Sequence, residues 1–335
     1  NNDFTAPGLP FLLGHQYTDV YGNGFGEATF AYQAAENGWL LEQPNLNNQY
    51  TETYSENFNV RANLEPIRDF KIEVTANRNI SRNYQSFFRW DDDVQDYVNQ
   101  AANETGNYTA TVVTWPTAFA EDNANYTNEV WQNFLNNRES MSHRVNESFG
   151  FATDTASLYA SGFGPISQNV VVPSFLAAYL GMDADAVPLN VFDAPVRPNW
   201  RVSYDGLSKN PTLKKTFKRF NINHTYRSTL STSYVTNLSY AEDGQGRPTA
   251  RDQGEYQDFI SQRQYNTVTI SEQMSPLIGV DMSIKTANDN EPQIKVEITR
   301  DRNVNLGMSN YQITETKTNG LVVGLGYKFD DVPNP

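Results

Sequence analysis

Three histidines, His15, His143 and His224, are the side chains best suited to metal binding or proton transfer in a chain that has no cysteine. They are far apart in the sequence, and none has an acidic residue at the spacing that metal ligands use. Their arrangement therefore predicts no metal site. His224 lies in a strongly alternating segment, where a packed or interfacial ring is the expected role.

No other pattern supplies catalytic or cofactor chemistry. The sequence has neither a HExxH motif nor a phosphate-binding GxxxxGK[ST] loop. Residues 22–26 (GNGFG) lack the spacing and the βαβ context of a dinucleotide loop, so we expect turn glycines. The acidic residues at 91–93, Asp183 and Asp185 form no calcium-loop pattern and are expected to be solvated loop charges. The sequence thus predicts a protein that is not an enzyme and uses no cofactor or metal.

A basic cluster precedes the longest alternating segment and adjoins Phe217 and Phe220. One interpretation is a solvated turn. The other is an interfacial anchor, in which lysine stems lie on apolar surface and the charges reach phosphate headgroups. The sequence supports both equally. The candidate anchor residues are Lys214, Lys215, Lys218 and Arg219, with Lys209 nearby.

Composition bounds the class of protein. The chain has 335 residues, 25 basic against 39 acidic side chains, a net charge of −14 and 13% aromatic residues. The absence of cysteine excludes a disulfide framework, and the acidity argues against nonspecific nucleic-acid binding, which needs a basic face. Mean hydropathy is −0.62, and no apolar run reaches the roughly 18 residues of a membrane-spanning helix. A membrane protein built of strands is compatible with all of these numbers, because strands alternate.

The strongest structural signal is alternation between residues 220 and 240. Even positions are mainly aromatic or aliphatic, whereas odd positions from Asn221 to Ser239 are almost all polar. Such a period of two predicts a β-strand with one apolar and one polar face. At roughly 3.3 Å per residue the strand would span about 70 Å, whereas a bilayer takes about 9–11 residues. A long bent strand in a soluble sandwich is the alternative for this segment.

Similar alternation recurs along the chain. Residues 58–64 and 70–76 flank a predicted tight turn at 65–69, and residues 278–284, 294–298, 304–308 and 321–329 continue the series. Further turns are predicted at Ser275–Pro276, at 288–290 and at Asn319–Gly320, the last as a hairpin. Residues 85–106, 120–198 and 241–262 are predicted to be long loops. Within them, residues 129–138 and 173–181 are expected to be short helices, the second starting at Pro173 and ending at Gly181.

These segments divide the chain. Residues 1–49 are expected to be a loop or a preceding barrel segment, 50–119 strands with a loop, 120–198 a long loop region with short helices, and 199–330 a strand meander. Residues 331–335 form a tail. The chain does not begin with methionine, and it lacks the closing aromatic residue usual in a complete barrel. We therefore expect a fragment of a longer protein.

Several motifs resemble one family, the giant outer-membrane translocon of the Bacteroidetes type IX secretion system (the SprA/Sov family). Their order along most of residues 50–329 makes the resemblance specific. They are residues 54–58 (YSENF), 64–70 (LEPIRDF), 117–119 (TAF), 172–179 (VPSFLAAY), 198–200 (PNW), 217–220 (FKRF), 224–228 (HTYRS), 275–278 (SPLI) and 324–329 (GLGYKF).

The resemblance implies that this chain is a C-terminal portion of a much longer translocon. It implies an all-β fold that is part of a very large transmembrane antiparallel β-barrel in the outer membrane, with long loops and a few short helices. It further implies a water-filled lumen that passes folded cargo proteins to the cell surface, a lateral opening, a PorV-type shuttle barrel and a periplasmic plug protein as partners, and roles in protein secretion and gliding motility. Other expected partners are outer-membrane lipid and the remaining segments of the same translocon, but no nucleic acid.

On this basis residues 50–329 are expected to contribute about ten spanning strands. An aspartate at Leu230 should impair insertion, whereas one at Thr229 should be tolerated. The alternatives are a TonB-dependent-type nutrient receptor barrel and a secreted β-sandwich for carbohydrate binding or adhesion. The residues predicted to face lipid or a partner are Phe220, Ile222, Leu230, Tyr234 and Leu238, and those predicted to face the lumen are Asn221, Asn223, Arg227, Thr229 and Asn237.

Overall fold

The computed structural model describes residues 25–26, 28–45, 47–125, 127–152, 156–286 and 291–327. In these residues the chain forms one antiparallel sheet with helices packed on one face, which confirms the predicted antiparallel, mostly β fold with few helices. The strands are β1 (Tyr50–Ile67), β2 (Phe70–Asp91), β3 (Asp96–Thr111), β4 (Asn199–Tyr204), β5 (Phe217–Thr236), β6 (Arg263–Ile284), β7 (Gln293–Gly307) and β8 (Gln312–Gly326).

The strand order is β1-β2-β3-β5-β6-β7-β8, and the short β4 divides the sheet into two halves. β3 pairs with β2 and β5 in one half, and β4 takes the place between the same two strands in the other. We call the half containing β4 the open half. The half containing β3 is the covered half, because helices lie on it.

The strands are longer and fewer than predicted: the described residues contain eight rather than about ten. Ser275–Pro276 is not a turn, because β6 continues through these residues. The register of β6 shifts there against both neighbouring strands. At this bulge the proline, which has no N–H group, does not have to donate a hydrogen bond to a neighbouring strand. Asn319–Gly320 is not a hairpin either, since β8 pairs with β7 on both sides of it. The chain instead reverses after β7 near Tyr311, whose φ is 54°.

Residues 85–106, predicted to be a loop, mostly continue β2 and β3. The two strands reverse at residues 92–95, where the Asp91 side chain accepts a hydrogen bond from the amide of Asp93 at 2.9 Å. The acidic run at 91–93 therefore builds a turn. The tight turn predicted at 65–69 occurs but is shorter, because β1 continues to Ile67 and the chain reverses at residues 68–69. Asp69 is in the left-handed region at φ 69°, and Lys209 Nζ donates to its Oδ1 at 2.6 Å. The turn predicted at 288–290 lies outside the described residues.

Four α-helices occur in the described residues: α1 (Thr29–Glu36), α2 (Glu129–Ser148), α3 (Gln168–Leu180) and the short α4 (Leu213–Thr216). The helix predicted at 129–138 is confirmed and continues to Ser148. Asn128 caps its N-terminus, and the Asn128 side chain accepts a hydrogen bond from the amide of Trp131 at 2.9 Å. None of these helices is long and apolar enough to cross a bilayer.

The second predicted helix exists, but it begins before Pro173. α3 starts at Gln168, so the proline lies inside it, and the helix ends as predicted before Gly181, at φ 62°. Every residue of α3 from Val170 to Leu180 is buried. A helix that is apolar on all sides belongs in a core.

The described residues between 112 and 198, which contain α2 and α3, form a helical layer on the covered half. They share one apolar core with the sheet, in which Leu230 and Phe175 are fully buried. Phe192 packs against Tyr108 and Tyr234, with ring centroids 5.2 and 5.3 Å apart. The connection 237–262 is a loop, as predicted for residues 241–262, and the amide of Phe259 donates to Gly162 O at 2.8 Å. The helical layer is thus bound to the sheet both by its core and by this loop.

The position of Leu230 changes what an aspartate there would do. Leu230 is 0% exposed under the helical layer, so Leu230→Asp is expected to disrupt the packing of that layer and to lower stability by more than the roughly 2–5 kcal/mol of a buried Leu→Ala change. Thr229→Asp should be tolerated, because Thr229 lies on the opposite face. Denaturant midpoints of the two purified variants measure the difference, and equal midpoints would contradict the assigned faces.

Candidate functional site

An uncovered apolar surface lies on one face of the open half. Directly paired residues share a face, and one cross-strand row reads Ile222, Val280, Val296 and Val323. Neighbouring rows have the same character. We call this surface the apolar band; it comprises Phe58, Val60, Leu64, Phe70, Ile72, Val74, Val202, Tyr204, Phe217, Phe220, Ile222, Ile278, Val280, Met282, Ile284, Ile294, Val296, Ile298, Leu321, Val323 and Leu325.

The apolar band is exposed to a degree that a protein in water would avoid. Leu325 is 81% exposed, Leu321 69%, Val323 60% and Ile278 53%. Contiguous apolar patches of this kind mark a surface that meets a partner or a membrane. From Ile278 to Ile284 the band extends about 20 Å along β6 at roughly 3.3 Å per residue. That height is close to the roughly 25 Å apolar belt of membrane barrels.

Aromatic side chains lie along both edges of the apolar band. Next to the helical layer, Trp115 lies 6.0 Å from Trp200 between ring centroids and is 37% exposed. At the opposite edge, Phe217 packs edge-on against Phe220 at 5.3 Å. Aromatic rings at two levels with an aliphatic zone between them are typical of a surface that crosses two membrane–water interfaces.

The other face of the open half is polar. Asn221 and Asn223 are 8% and 7% exposed, whereas Ile222 between them, on the apolar face, is 37% exposed. Asn223 Nδ2 donates to Asp281 Oδ2 at 2.8 Å, and two hollows open on this face. The two faces of the open half therefore differ in chemistry as well as in the packing of β5.

The structure separates the five residues predicted to face lipid or a partner. Phe220 and Ile222 lie in the apolar band. Leu230 and Tyr234 point to the same face but are covered by the helical layer of their own chain, at 0% and 3% exposure. Leu238 lies beyond the end of β5 and is 77% exposed. The four strand residues share one face of the sheet, but Leu230 and Tyr234 do not face lipid or a partner chain; for Phe220 and Ile222 that contact stays a prediction.

Four of the five residues predicted to face the lumen share the polar face. Asn221 and Asn223 lie in its open half, and Arg227 and Thr229 follow on the same side of β5. Asn237 does not belong to this set, because β5 ends at Thr236; its amide donates to Gln262 O at 2.8 Å. That this face meets a lumen stays a prediction.

The fold separates the four residues of the predicted basic anchor into two locations. Lys214 and Lys215 lie on α4, exposed at the end of the open half, and Lys218 forms an ion pair with Glu291. Arg219 instead lines the two hollows of the polar face. Three lysines therefore remain next to the aromatic edge at Phe217, where a headgroup contact would require them.

A buried charge network, missed at the sequence level, joins the helical layer to the sheet. Arg302 Nε lies 2.7 Å from Glu315 Oε1, and Arg302 Nη1 lies 3.7 Å from Glu272 Oε2, with side-chain exposures of 1% for Arg302 and 2% for Glu272. Thr114 of the helical layer donates to Glu272 Oε1 at 2.6 Å, and Tyr226 donates to the same oxygen at 2.9 Å. The sequence carried a signal for it: charged residues at positions where alternation calls for apolar ones.

Burial also shifts the ionisation of groups in the covered half. It raises the pKa of the Tyr108 phenol to about 12 and raises the pKa of Tyr234, so both rings remain neutral in the core. Burial likewise raises the pKa of Asp258, whose carboxylate accepts a hydrogen bond from the amide of Gly164 at 2.5 Å. These groups serve packing, because each lies in the core or in the contact between the loop and the helical layer.

The other candidates for chemistry remain dispersed. His224 Nδ1 lies 2.6 Å from Leu277 O, with Trp115 against its ring at 5.7 Å, so it is a packed ring as predicted. Asp183 accepts from the amide of Asp185 within a turn. His15 and residues 22–24 lie outside the described residues. Within the described part of the chain, no group of three or more His, Asp or Glu side chains is placed to hold a metal ion.

Comparison with known proteins adds no family assignment. No protein-family model matches the chain, and no curated protein is significantly similar to it in sequence. The functional interpretation therefore depends on the apolar band, on the polar face and on the motifs described above.

Proposed function

We propose that this chain is a section of the wall of a large outer-membrane β-barrel, with the open half of the sheet crossing the bilayer. The observation that carries the proposal is the exposed apolar band with a polar face behind it. Lipid on one side and water on the other would satisfy both faces of the open half. The antiparallel ladder satisfies the backbone polar groups that lipid cannot.

The free edges of the sheet support a barrel larger than this chain. In the described residues, β1 and β8 each pair with a strand on one side only. A membrane barrel has no open edge, so further strands must continue the sheet at both sides. Other segments of the same long translocon chain are the expected source of those strands.

The polar face supports a water-filled lumen. Its hollows are lined by Glu73, Arg201, Asp281 and Lys295 among others, and such side chains prefer water to lipid. Conduction of folded cargo by the type IX secretion system is the specific function that we propose for this lumen. That step rests on the resemblance of the sequence motifs to the SprA/Sov translocons, as do the lateral opening, the PorV-type shuttle barrel and the periplasmic plug protein.

Cysteine labelling tests the topology, because this chain has no cysteine and an introduced thiol reports on one position of it. We expect a water-soluble maleimide to label Thr316→Cys on the polar face and to leave Ile298→Cys in the apolar band unlabelled in native membranes. A lipid-soluble maleimide should label Ile298→Cys. Rapid labelling of both thiols by the water-soluble reagent would contradict a membrane-spanning band, because it would show that water reaches both faces of the sheet.

Depletion of the full protein tests the transport function. Folded cargo should then accumulate in the periplasm while the outer membrane stays intact. Undiminished export after depletion would exclude the translocon role, whatever the labelling experiment shows.

A further inference from the structure

The polar face of the covered half contains a surface without charge. One cross-strand row runs from Asn57 on β1 to Thr314 on β8, and the next runs from Asn59 to Thr316. Every residue in both rows is Asn, Ser or Thr. We call them the neutral rows; they cross the sheet from edge to edge, so their composition is a property of the whole face rather than of one strand.

Apart from Thr111, which is buried, the residues of the neutral rows are exposed or half-buried on the polar face, although the strands that carry them are buried on the other side. Thr109, Ser271, Asn303 and Thr316 are exposed. On the opposite face of these strands, Leu230, Val268 and Leu306 are fully buried under the helical layer. The neutral rows therefore lie on the uncovered face of strands whose other face packs against the helical layer.

Charge returns at once where the neutral rows end. The adjacent row toward the open half contains Arg227 and Asp301, and the hollows beyond it are lined by side chains of both signs. The sequence as a whole carries a net charge of −14. A surface free of charge in so acidic a chain stands apart from its surroundings.

A surface of short neutral side chains offers few favourable interactions to a protein that passes it. They offer little apolar area to bury and no charge to attract or repel, and water satisfies their donors and acceptors. A charge on a wall acts over a Debye length of about 8 Å at physiological salt. A folded protein that moves beside the wall comes within that distance, so wall charge of one sign would retain some cargo and repel other cargo.

We propose that the neutral rows are a part of the lumen wall past which folded cargo moves, and that they make passage independent of the net charge of the cargo. The inference rests on the proposed function, because it requires the polar face to line the lumen. On this proposal, the neutral rows do not select among cargo proteins, and recognition of cargo takes place elsewhere.

The test places charges in the neutral rows of the full protein in its native outer membrane. Thr109, Ser271 and Thr316 lie on strands that are not neighbours, so like charges at these positions do not face one another directly. Three variants carry Asp, Lys or Gln at all three positions. The probe is one secreted cargo protein in an acidic and a basic surface variant, and the readout is the rate at which each appears outside the cell.

With the natural neutral rows, the two cargo forms should leave at rates within about twofold of each other. The triple Asp variant should slow the acidic form relative to the basic form by about threefold or more, and the triple Lys variant should reverse the order. The triple Gln variant should leave the ratio unchanged, which controls for side-chain size.

Two results would overturn the inference: discrimination by cargo charge with the natural rows, or an unchanged ratio in the Asp and Lys variants at normal levels of protein in the membrane. Failure of the proposed function looks different. In that case export of both cargo forms would continue after depletion of the protein, or Thr316→Cys would resist the water-soluble maleimide.

Discussion

Val323→Arg is expected to lower the amount of correctly inserted protein sharply, whereas Val322→Arg is expected to be tolerated. Val323 is 60% exposed in the middle of the apolar band, in one row with Val296 and Val280. An arginine at the lipid-facing midplane of a membrane barrel costs about 2–4 kcal/mol. Protein in the outer-membrane fraction, together with heat-modifiable mobility in gels, measures the loss.

The neighbouring residue Val322 provides a matched control on the same strand. Val322 is on the same strand and 46% exposed, but it points to the polar face and pairs with Glu297. An arginine there meets water and an acidic neighbour. In a water-soluble protein that leaves this face of the sheet uncovered, both positions would be solvated, so the two variants would behave alike. Equal insertion of both would therefore remove the main support for a membrane-spanning open half.

Arg302→Ala is expected to loosen the attachment of the helical layer and to destabilise the protein by about 3–5 kcal/mol, the usual cost of removing one partner from a buried ion pair. The change would leave Glu272, whose side chain is 2% exposed, without its cationic partner. It would also remove the hydrogen bond that Arg302 Nη1 donates to Thr117 Oγ1 at 3.0 Å. The denaturant midpoint of the purified protein gives the magnitude.

Arg61→Ala is the matched control, because Arg61 also forms an ion pair with a glutamate on a neighbouring strand. The Arg61–Glu73 pair has an N–O distance of 2.7 Å, but the Arg61 side chain is 63% exposed. Exposed pairs contribute about 0–1 kcal/mol. A loss after Arg302→Ala no larger than after Arg61→Ala would show that the buried network does not hold the layer.

The sequence predicted the faces of the strands better than their ends. Alternation through Ile222, Val280 and Val296 assigned these side chains to one face, and the ladder pairs them in one row. The ends of the strands were predicted less well, because turn motifs reflect only the preferences of neighbouring residues. Asn319–Gly320 is a strong hairpin dipeptide, yet both residues pair with β7, since an uninterrupted partner strand outweighs a local turn preference.

The alternation of apolar and polar residues alone could not predict which part of the chain covers each face of the sheet. Leu230 and Ile222 belong to the same alternating series, but a helical layer from residues 112–198 covers one and leaves the other exposed. That difference depends on contacts between residues far apart in the chain. The better signal was chemical: Glu272 and Arg302 interrupt the apolar face where the layer docks, and buried charges require partners.

The uneven cover of the sheet has a consequence for biogenesis. Beneath the helical layer the chain has an apolar core of its own. Elsewhere it exposes aliphatic rows and, within the described residues, one backbone edge each of β1 and β8 that pairs with no strand; both features promote aggregation. On the proposed topology, the passage through the periplasm before insertion is the stage at which this polypeptide would be most prone to aggregate. A holding chaperone would have to shield one end of each long strand while the other end is already folded.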